Sequence, residues 1–238
     1  MKVYCFFEQS GTFRDVFREL GIDADDYDIE NLFGKTDHVT DLFAEIKKAY
    51  DGEKSLFDKI TDKDLILAFF PCTYFTGSSN PILFSGKIAQ WKNKKLSDKV
   101  GYIINRSRQR QEFYETLWKF VGIVDKKKIP TIIENPGASQ GYLEYNFLKP
   151  TFIDKDRTKQ GDDFKKPTAY WFFNIEPQNG NNNTLGLGGK IIRNINALNG
   201  KSRIILRSVI NRNYAENFIY NYILGKRNPH AKQQCFDL

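Results

Sequence analysis

The chain opens on a short apolar run, residues 2–7 (KVYCFF), which is cut by Glu8. Beyond it Phe13, Val16, Phe17 and Leu20 recur at i, i+3, i+4 and i+7, the spacing of one helix face, and Gly21 can stop that helix in a left-handed turn. Residues 23–31 (DADDYDIEN) predict a polar-flanked strand with Tyr27 and Ile29 turned inward. Over residues 40–51 the side chains of Leu42, Phe43, Ile46 and Tyr50 fall on one face of a second helix. Residues 64–70 (DLILAFF) are almost unbroken apolar sequence, as expected of a strand covered on both faces in a parallel sheet. Residues 77–99 read as a basic loop. From 106 to 121 a helix presents Phe113, Leu117, Phe120 and Val121. Strands follow at 130–137 (PTIIENPG), ended by Asn-Pro-Gly, and at 168–175 (TAYWFFNI). Residues 178–189 are an Asn/Gly-rich loop, 202–209 (SRIILRSV) a strand or entry segment, and 213–224 a closing amphipathic helix.

Strands alternating with helices imply an α/β fold, Rossmann-like, with a mainly parallel sheet and helices on both faces. The 238 residues suit one domain over 1–225, with inserted loops at 77–99, 138–165 and 178–200 and a tail at 226–238. In such sheets ligands sit beyond the carboxyl ends of the strands, near the point where the strand order reverses. That singles out four loops: Glu8 to Thr12, Asp28 to Glu30, Pro71 to Asn80, and Glu134 to Gly137. The residues of chemical interest fall in these loops, and that coincidence points to an enzyme.

Composition narrows the picture. Three cysteines far apart (Cys5, Cys72, Cys235) and two histidines (His38, His230) argue against a disulfide framework, a zinc cluster or a histidine-rich metal site, and suit a reducing cytoplasm. No apolar run approaches the roughly 20 residues that span a bilayer, and the N-terminal run meets Glu8 too early for a signal peptide. A net charge of +7 and a pI near 9.1 favour a polyanionic partner such as nucleic acid. Lys87, Lys92, Lys94, Lys95 and Lys99 are the candidate phosphate contacts, against the alternative of a solvated lysine-rich loop.

The loops carry candidate chemistry. Gly11 ahead of a helix can turn backbone N–H groups toward a ligand, although an ordinary strand-to-helix turn has the same sequence. A carboxylate closing the second strand can accept from the ribose hydroxyls of an adenosine-containing cofactor; Asp28 and Glu30 compete for that role, against a solvated acidic turn. Asp41 reads either as a contact to the adenine edge or as a helix-start acid. Cys72, displayed by Pro71 at a strand end, is either a small core residue or a nucleophile in need of activation. Glu134 ends a buried strand, where a carboxylate is costly unless paired or used. Cysteine and glutamate at neighbouring strand ends make a nucleophile and a proton-handling group.

Together these residues resemble the C-5 cytosine-specific DNA methyltransferases, above all the short, phage-associated kind. The resemblance rests on Pro71-Cys72 at one strand end and Glu134-Asn135-Pro136 at another, in the family's order. The opening SGTFRDVFRELGIDADDYD resembles the family's first cofactor loop, helix and acidic strand end. Residues 160–177 (QGDDFKKPTAYWFFNIEP) and 207–223 (RSVINRNYAENFIYNYI) resemble later segments of the short members, so the likeness runs from about residue 3 to 224. It implies a methyltransferase fold that binds S-adenosylmethionine through Phe7, Gly11, Thr12, Asp28, Asp41 and Pro71. It also implies a Cys72 thiolate that attacks C6 of cytosine, with Glu134 holding N3 and the exocyclic amine. A base in duplex DNA would first be flipped from the stack.

Some features depart from the family pattern. Only one glycine stands in the first loop, and Phe70 precedes Pro71 where a second proline is frequent. The tight arginine cluster, Arg106, Arg108 and Arg110, precedes Glu134 rather than following it; Arg203 and Arg207 are the stand-ins considered for the family's later arginine motif. A large target-recognition domain is missing, so recognition falls to the inserted loops or to a separate partner. Two other classes therefore stay open: a nucleic-acid-binding or decoy protein without turnover, and a methyltransferase acting on RNA or a free nucleotide.

Overall fold

The computed structural model describes residues 1–76, 93–137, 141–180 and 209–230. Lys87, Lys92, Arg203, Arg207, Cys235 and the 202–208 part of the SRIILRSV segment lie outside the described residues.

Hydrophobic alternation in the central strands builds a three-layer sandwich. In β1 (Val3–Phe6) Val3 and Cys5 face one side of the sheet, while Tyr4 and Phe6 face the other. In β4 (Leu65–Phe69) Leu65 and Leu67 oppose Ile66 and Ala68 in the same way. The first face is covered by α1 (Thr12–Glu19), through Phe13, Val16 and Phe17, and by α5 (Arg212–Phe218), through Tyr214 and Phe218. The second is covered by α2 (Leu42–Asp51), through Leu42 and Ile46, and by α3 (Leu96–Lys127), through Leu117, Phe120 and Val124. Cys5 is thereby a core residue, its thiol pushed well above the ordinary range by burial.

Seven strands form one sheet. β2 (Ala24–Asp28), β3 (His38–Val39), β5 (Thr131–Pro136), β6 (Phe152–Asp154) and β7 (Thr168–Phe173) join β1 and β4 in the order β3-β2-β1-β4-β5-β7-β6. Every pair from β3 to β5 is parallel, and β7 runs antiparallel between β5 and β6. The chain is thus an α/β protein with a mostly parallel mixed sheet and helices on both faces. Among the described residues, no helix is long and apolar enough to cross a membrane.

Several boundaries differ from the sequence reading for local reasons. The second strand stops at Asp28, whose carboxylate accepts the Glu30 N–H at 2.8 Å and bends the chain away. Ile29 is therefore not inward but 62 % exposed. Tyr50 also ends exposed, at the far end of α2. The helix expected at 106–121 starts at Leu96, so the basic loop is helical from there on. Its first turns hold Leu96, Val100 and Ile104 exposed, so no buried stripe announces them. The inserted segment 138–165 contains α4 (Tyr142–Asn146), β6 and a 3₁₀ turn at Arg157–Gln160. The closing helix widens into a π turn over Ile219–Ile223.

Candidate active site

β1 leads through α1 to β2 on one side, and β4 leads through α3 to β5 on the other, so the strand order reverses between β1 and β4. A crevice opens at such a point. Here it is a cavity of about 290 Å³, whose walls carry Phe7, Glu8, Asp28, Pro71, Cys72 and Glu134, with Lys166 the one cation among the described lining residues.

At the end of β1, Phe7 has a left-handed backbone (φ 59°), which costs an aromatic residue about 1–3 kcal/mol unless the surroundings hold it. Its ring is held edge-on against Phe70 at 5.2 Å and Phe43 at 6.0 Å between centroids. The turn sends Glu8 beneath α1, where its carboxylate accepts the N–H of Phe13 at 2.8 Å and of Arg14 at 3.4 Å. These donors have no partner within the helix, and a negative group suits them. Burial nevertheless dominates and pushes the Glu8 carboxyl up to about 7.

Gly11 does not line the cavity. Its φ is 66°, and a Cβ there would lie 2.3 Å from Nη2 of Arg14. The glycine makes room for a buried arginine whose Nη1 sits 2.8 Å from Oδ2 of Asp26 on β2. Thr12 begins α1 with its hydroxyl 2.9 Å from Ser10 Oγ, also outside the cavity wall. Asp41 is exposed and caps α2, accepting the Ala44 N–H at 3.1 Å. Of the residues implied for the cofactor, the structure brings together Phe7, Asp28 and Pro71. Asp28 is buried, and that burial pushes its carboxyl up to about 6; Glu30 is exposed and lies outside the cavity wall.

Cys72 follows β4 directly, half-buried in the cavity wall, and its carbonyl accepts the Phe75 N–H at 2.9 Å in a tight turn. Two contacts fix this turn. Asn135 Nδ2 donates to the Phe70 carbonyl at 2.8 Å, joining the end of β5 to the end of β4. Arg106 Nη1 donates to the Tyr74 hydroxyl at 2.9 Å, and its guanidinium lies over the Tyr102 ring at 5.1 Å. At least one member of the arginine cluster thus braces the cysteine loop from α3. Glu134 is paired in register with Phe69 of β4 and is 6 % exposed. Its Oε1 is buried and has no hydrogen-bond partner among the described residues, an acceptor that calls for one.

Arg157 was not singled out from the sequence. Its surroundings, Asp154-Lys155-Asp156-Arg157, read as a polar surface loop. In the fold it is 1 % exposed, paired with Asp162 and stacked 4.5 Å from the centre of the Tyr214 ring. Burial favours loss of its proton, but Tyr214, Asp162, Tyr170 and Glu134 together hold it more firmly than usual. Beside it Tyr170 and Tyr214 share a 2.8 Å hydroxyl contact, and Tyr214 donates to Asp154 at 3.0 Å. Arg157 therefore brings positive charge within electrostatic reach of Glu134. Lys94 and Lys95 are exposed at the entry to α3, with Lys99 half-buried in its first turn.

The raised carboxyls predict a pH dependence. The folded chain keeps a proton on Glu8 where the unfolded chain has lost it, between about 4.5 and 7, so stability falls as pH rises through that range. The loss from Glu8 should be about 3 kcal/mol, and Asp28 acts in the same direction between 3.8 and about 6. Urea unfolding of the ligand-free protein and of Glu8→Gln, at pH 4.5 and pH 8, checks this. The stability difference between the two should shift in favour of the variant as pH rises; a constant difference would count against it.

No protein-family model matches the chain, and no curated protein matches it. The fold and the site define an α/β protein in which a cysteine, a buried glutamate and a buried aspartate share one cavity at the switch point of the sheet.

Proposed function

We propose that the chain transfers a methyl group from S-adenosylmethionine to C5 of cytosine in DNA, through a covalent adduct on Cys72. One observation carries the reading: Cys72 and Glu134, distant in sequence, wall one cavity at the ends of paired strands, and Glu134 has a buried oxygen with no partner among the described residues. The cofactor fits the residues present, since Asp28 stands where ribose hydroxyls bind in sheets of this order, and Glu8, Asp28 and Glu134 suit a ligand that carries positive charge. When bound, S-adenosylmethionine supplies an electrophilic methyl group.

The chain's own residues do the rest. Cys72 sulfur bonds to C6 of the base, and the electron pair of the 5,6 double bond moves toward the ring carbonyl and N3. Glu134 accepts from the exocyclic amine and holds a proton at N3, offsetting the charge that develops there. Arg157 keeps positive charge within electrostatic reach of that carboxylate. C5 takes the methyl group; loss of the C5 proton to a base then restores the double bond and expels Cys72. The DNA partner and the methyltransferase character of the sheet belong to this reading, and a cytoplasmic setting, expected from the scattered cysteines, is proposed with it. A second reading, a binding protein without turnover, is favoured by Glu8, which occupies the α1 N–H groups that a ligand's own anionic group would use.

The deciding experiment supplies methyl-labelled cofactor with random-sequence duplexes, single strands, RNA and free nucleotides, and reads the label by nucleoside mass spectrometry. Label in 5-methylcytosine of DNA supports the proposal. Label only in RNA or nucleotides moves the substrate, and cofactor binding with no label in any substrate supports the binding protein. Calorimetry should show one cofactor site per chain. Asp28→Ala should weaken it at least about tenfold, or 1.4 kcal/mol; unchanged affinity would remove Asp28 from the cofactor site.

A further inference from the structure

Along the carboxyl edge of the sheet the cavity's groups stand in the order Asp28 on β2, Glu8 after β1, Cys72 after β4 and Glu134 on β5. Neighbouring strands are about 4.8 Å apart, so Asp28 and the cysteine loop are separated by on the order of 10 Å, with β1 between them. A donor whose ribose rests on Asp28 and whose methyl group points at a base on Cys72 must carry its sulfur past the end of β1. The side chain there is Glu8, 6 % exposed and in the cavity wall.

Resting on the methyltransferase reading, we propose that Glu8 is the anionic contact for the positively charged sulfur of the methyl donor, so that the cavity holds the donor more tightly than its uncharged-sulfur product. The charge distribution supports it. A chain of net charge +7 lines this cavity with three carboxylates and, among the described residues, one cation, Lys166. The cation acting on Glu8 among the described residues is Arg14 on α1, and its guanidinium is committed to Asp26 and Asp15, each at 2.8 Å. Asp26 on β2 and the thiol of Cys5 on β1 also face Glu8, and neither supplies positive charge. Across the cavity stand Asp28, Cys72, Glu134 and Lys166. A buried carboxylate without a counter-ion is costly, and a cation arriving beside it removes that cost. The buried Oε1 of Glu134 in the same wall, without a partner among the described residues, is independent support for a ligand in the cavity.

The proposal has a thermodynamic signature that a purely helix-capping Glu8 lacks. The carboxyl, raised to about 7 by burial, is partly protonated in the ligand-free chain at neutral pH, and a cation beside it expels that proton. Titration calorimetry at pH 7 with S-adenosylmethionine and with S-adenosylhomocysteine, each in buffers of different ionisation enthalpy, counts the protons released. Binding of the donor should release about half a proton per site and binding of the product distinctly less. In Glu8→Gln the difference should vanish, with donor affinity falling at least about tenfold and product affinity changing less than threefold. Equal release with both ligands, or none with either while both bind, would overturn the role of Glu8 and leave the methyltransferase reading intact. Failure of both ligands to bind the unmutated chain would overturn that reading as well. Should the variant not fold, the measurement on the unmutated chain decides alone.

Discussion

Cys72→Ser should abolish methyl transfer while leaving the fold and the donor affinity in place. Cys72 is half-buried in the cavity wall, and its backbone carbonyl accepts the Phe75 N–H that closes the turn, a bond serine keeps. Serine adds no volume, so the structural cost is small. The chemical cost is large, because an alcohol is a far poorer nucleophile than a thiolate for addition to a pyrimidine ring. The rate should fall by at least about 10⁴, the order expected when a site loses its nucleophile. DNA carrying 5-fluorocytosine gives the direct reading. Fluorine cannot leave as a proton does, so the unmutated chain should stay bonded to the methylated base in a denaturant-resistant, methyl-labelled adduct, and Cys72→Ser should form none. Methyl transfer at an undiminished rate in Cys72→Ser would remove the nucleophile from Cys72 and the C5 chemistry with it.

Arg157→Ala should be the most destabilising single change near the site, at about 3–5 kcal/mol. The guanidinium is buried against the Tyr214 ring and paired with Asp162, whose side chain is also buried. Truncation leaves the Asp162 charge without a partner and opens a void between the last helix and the sheet. For a chain of this length, that loss lowers the melting temperature by about 10 °C. The double variant Arg157→Met, Asp162→Asn separates charge from volume, because removing both charges leaves neither ion stranded. It should recover more than half of the loss measured for Arg157→Ala by denaturant unfolding. A double variant no more stable than Arg157→Ala would show that neither the stranded Asp162 charge nor the lost volume accounts for the loss, and that the guanidinium itself holds this corner. If the double variant folds and binds the donor but transfers methyl groups slowly, the positive charge within reach of Glu134 acts in the chemistry.

Much of this site was legible because strand ends are local features. The run at 64–70 stops where Pro71 removes a backbone donor, and the 130–137 run stops at Asn-Pro-Gly. Knowing that ligands gather at such ends was enough to single out Cys72, Glu134 and Asp28, which one cavity brings together, while Phe7 and Pro71 in the same wall came from the family resemblance. The two-faced burial of β4 was likewise written in its continuous apolar sequence.

Other features were settled only by contacts between distant segments. The reversal of β7 and the presence of β6 depend on pairing across the sheet edge, for which a three-residue strand carries no period of its own. Asp41 caps α2 through Ala44 and Gly11 clears Arg14, both contacts three residues away, but that neither residue lines the cavity follows only from how the strands and loops assemble. Glu8 fell in the first candidate loop but was given no role, and Arg157, in a polar stretch, was not singled out. Periodicity reports where apolar side chains go, since their burial is driven by area alone. A charged side chain is buried only where particular partners from elsewhere in the fold receive it: the α1 amides for Glu8, and Asp162 with Tyr214 for Arg157. The sequence by itself therefore determined the layers and the strand ends where chemistry could sit; the tertiary structure decided which charges those ends enclose.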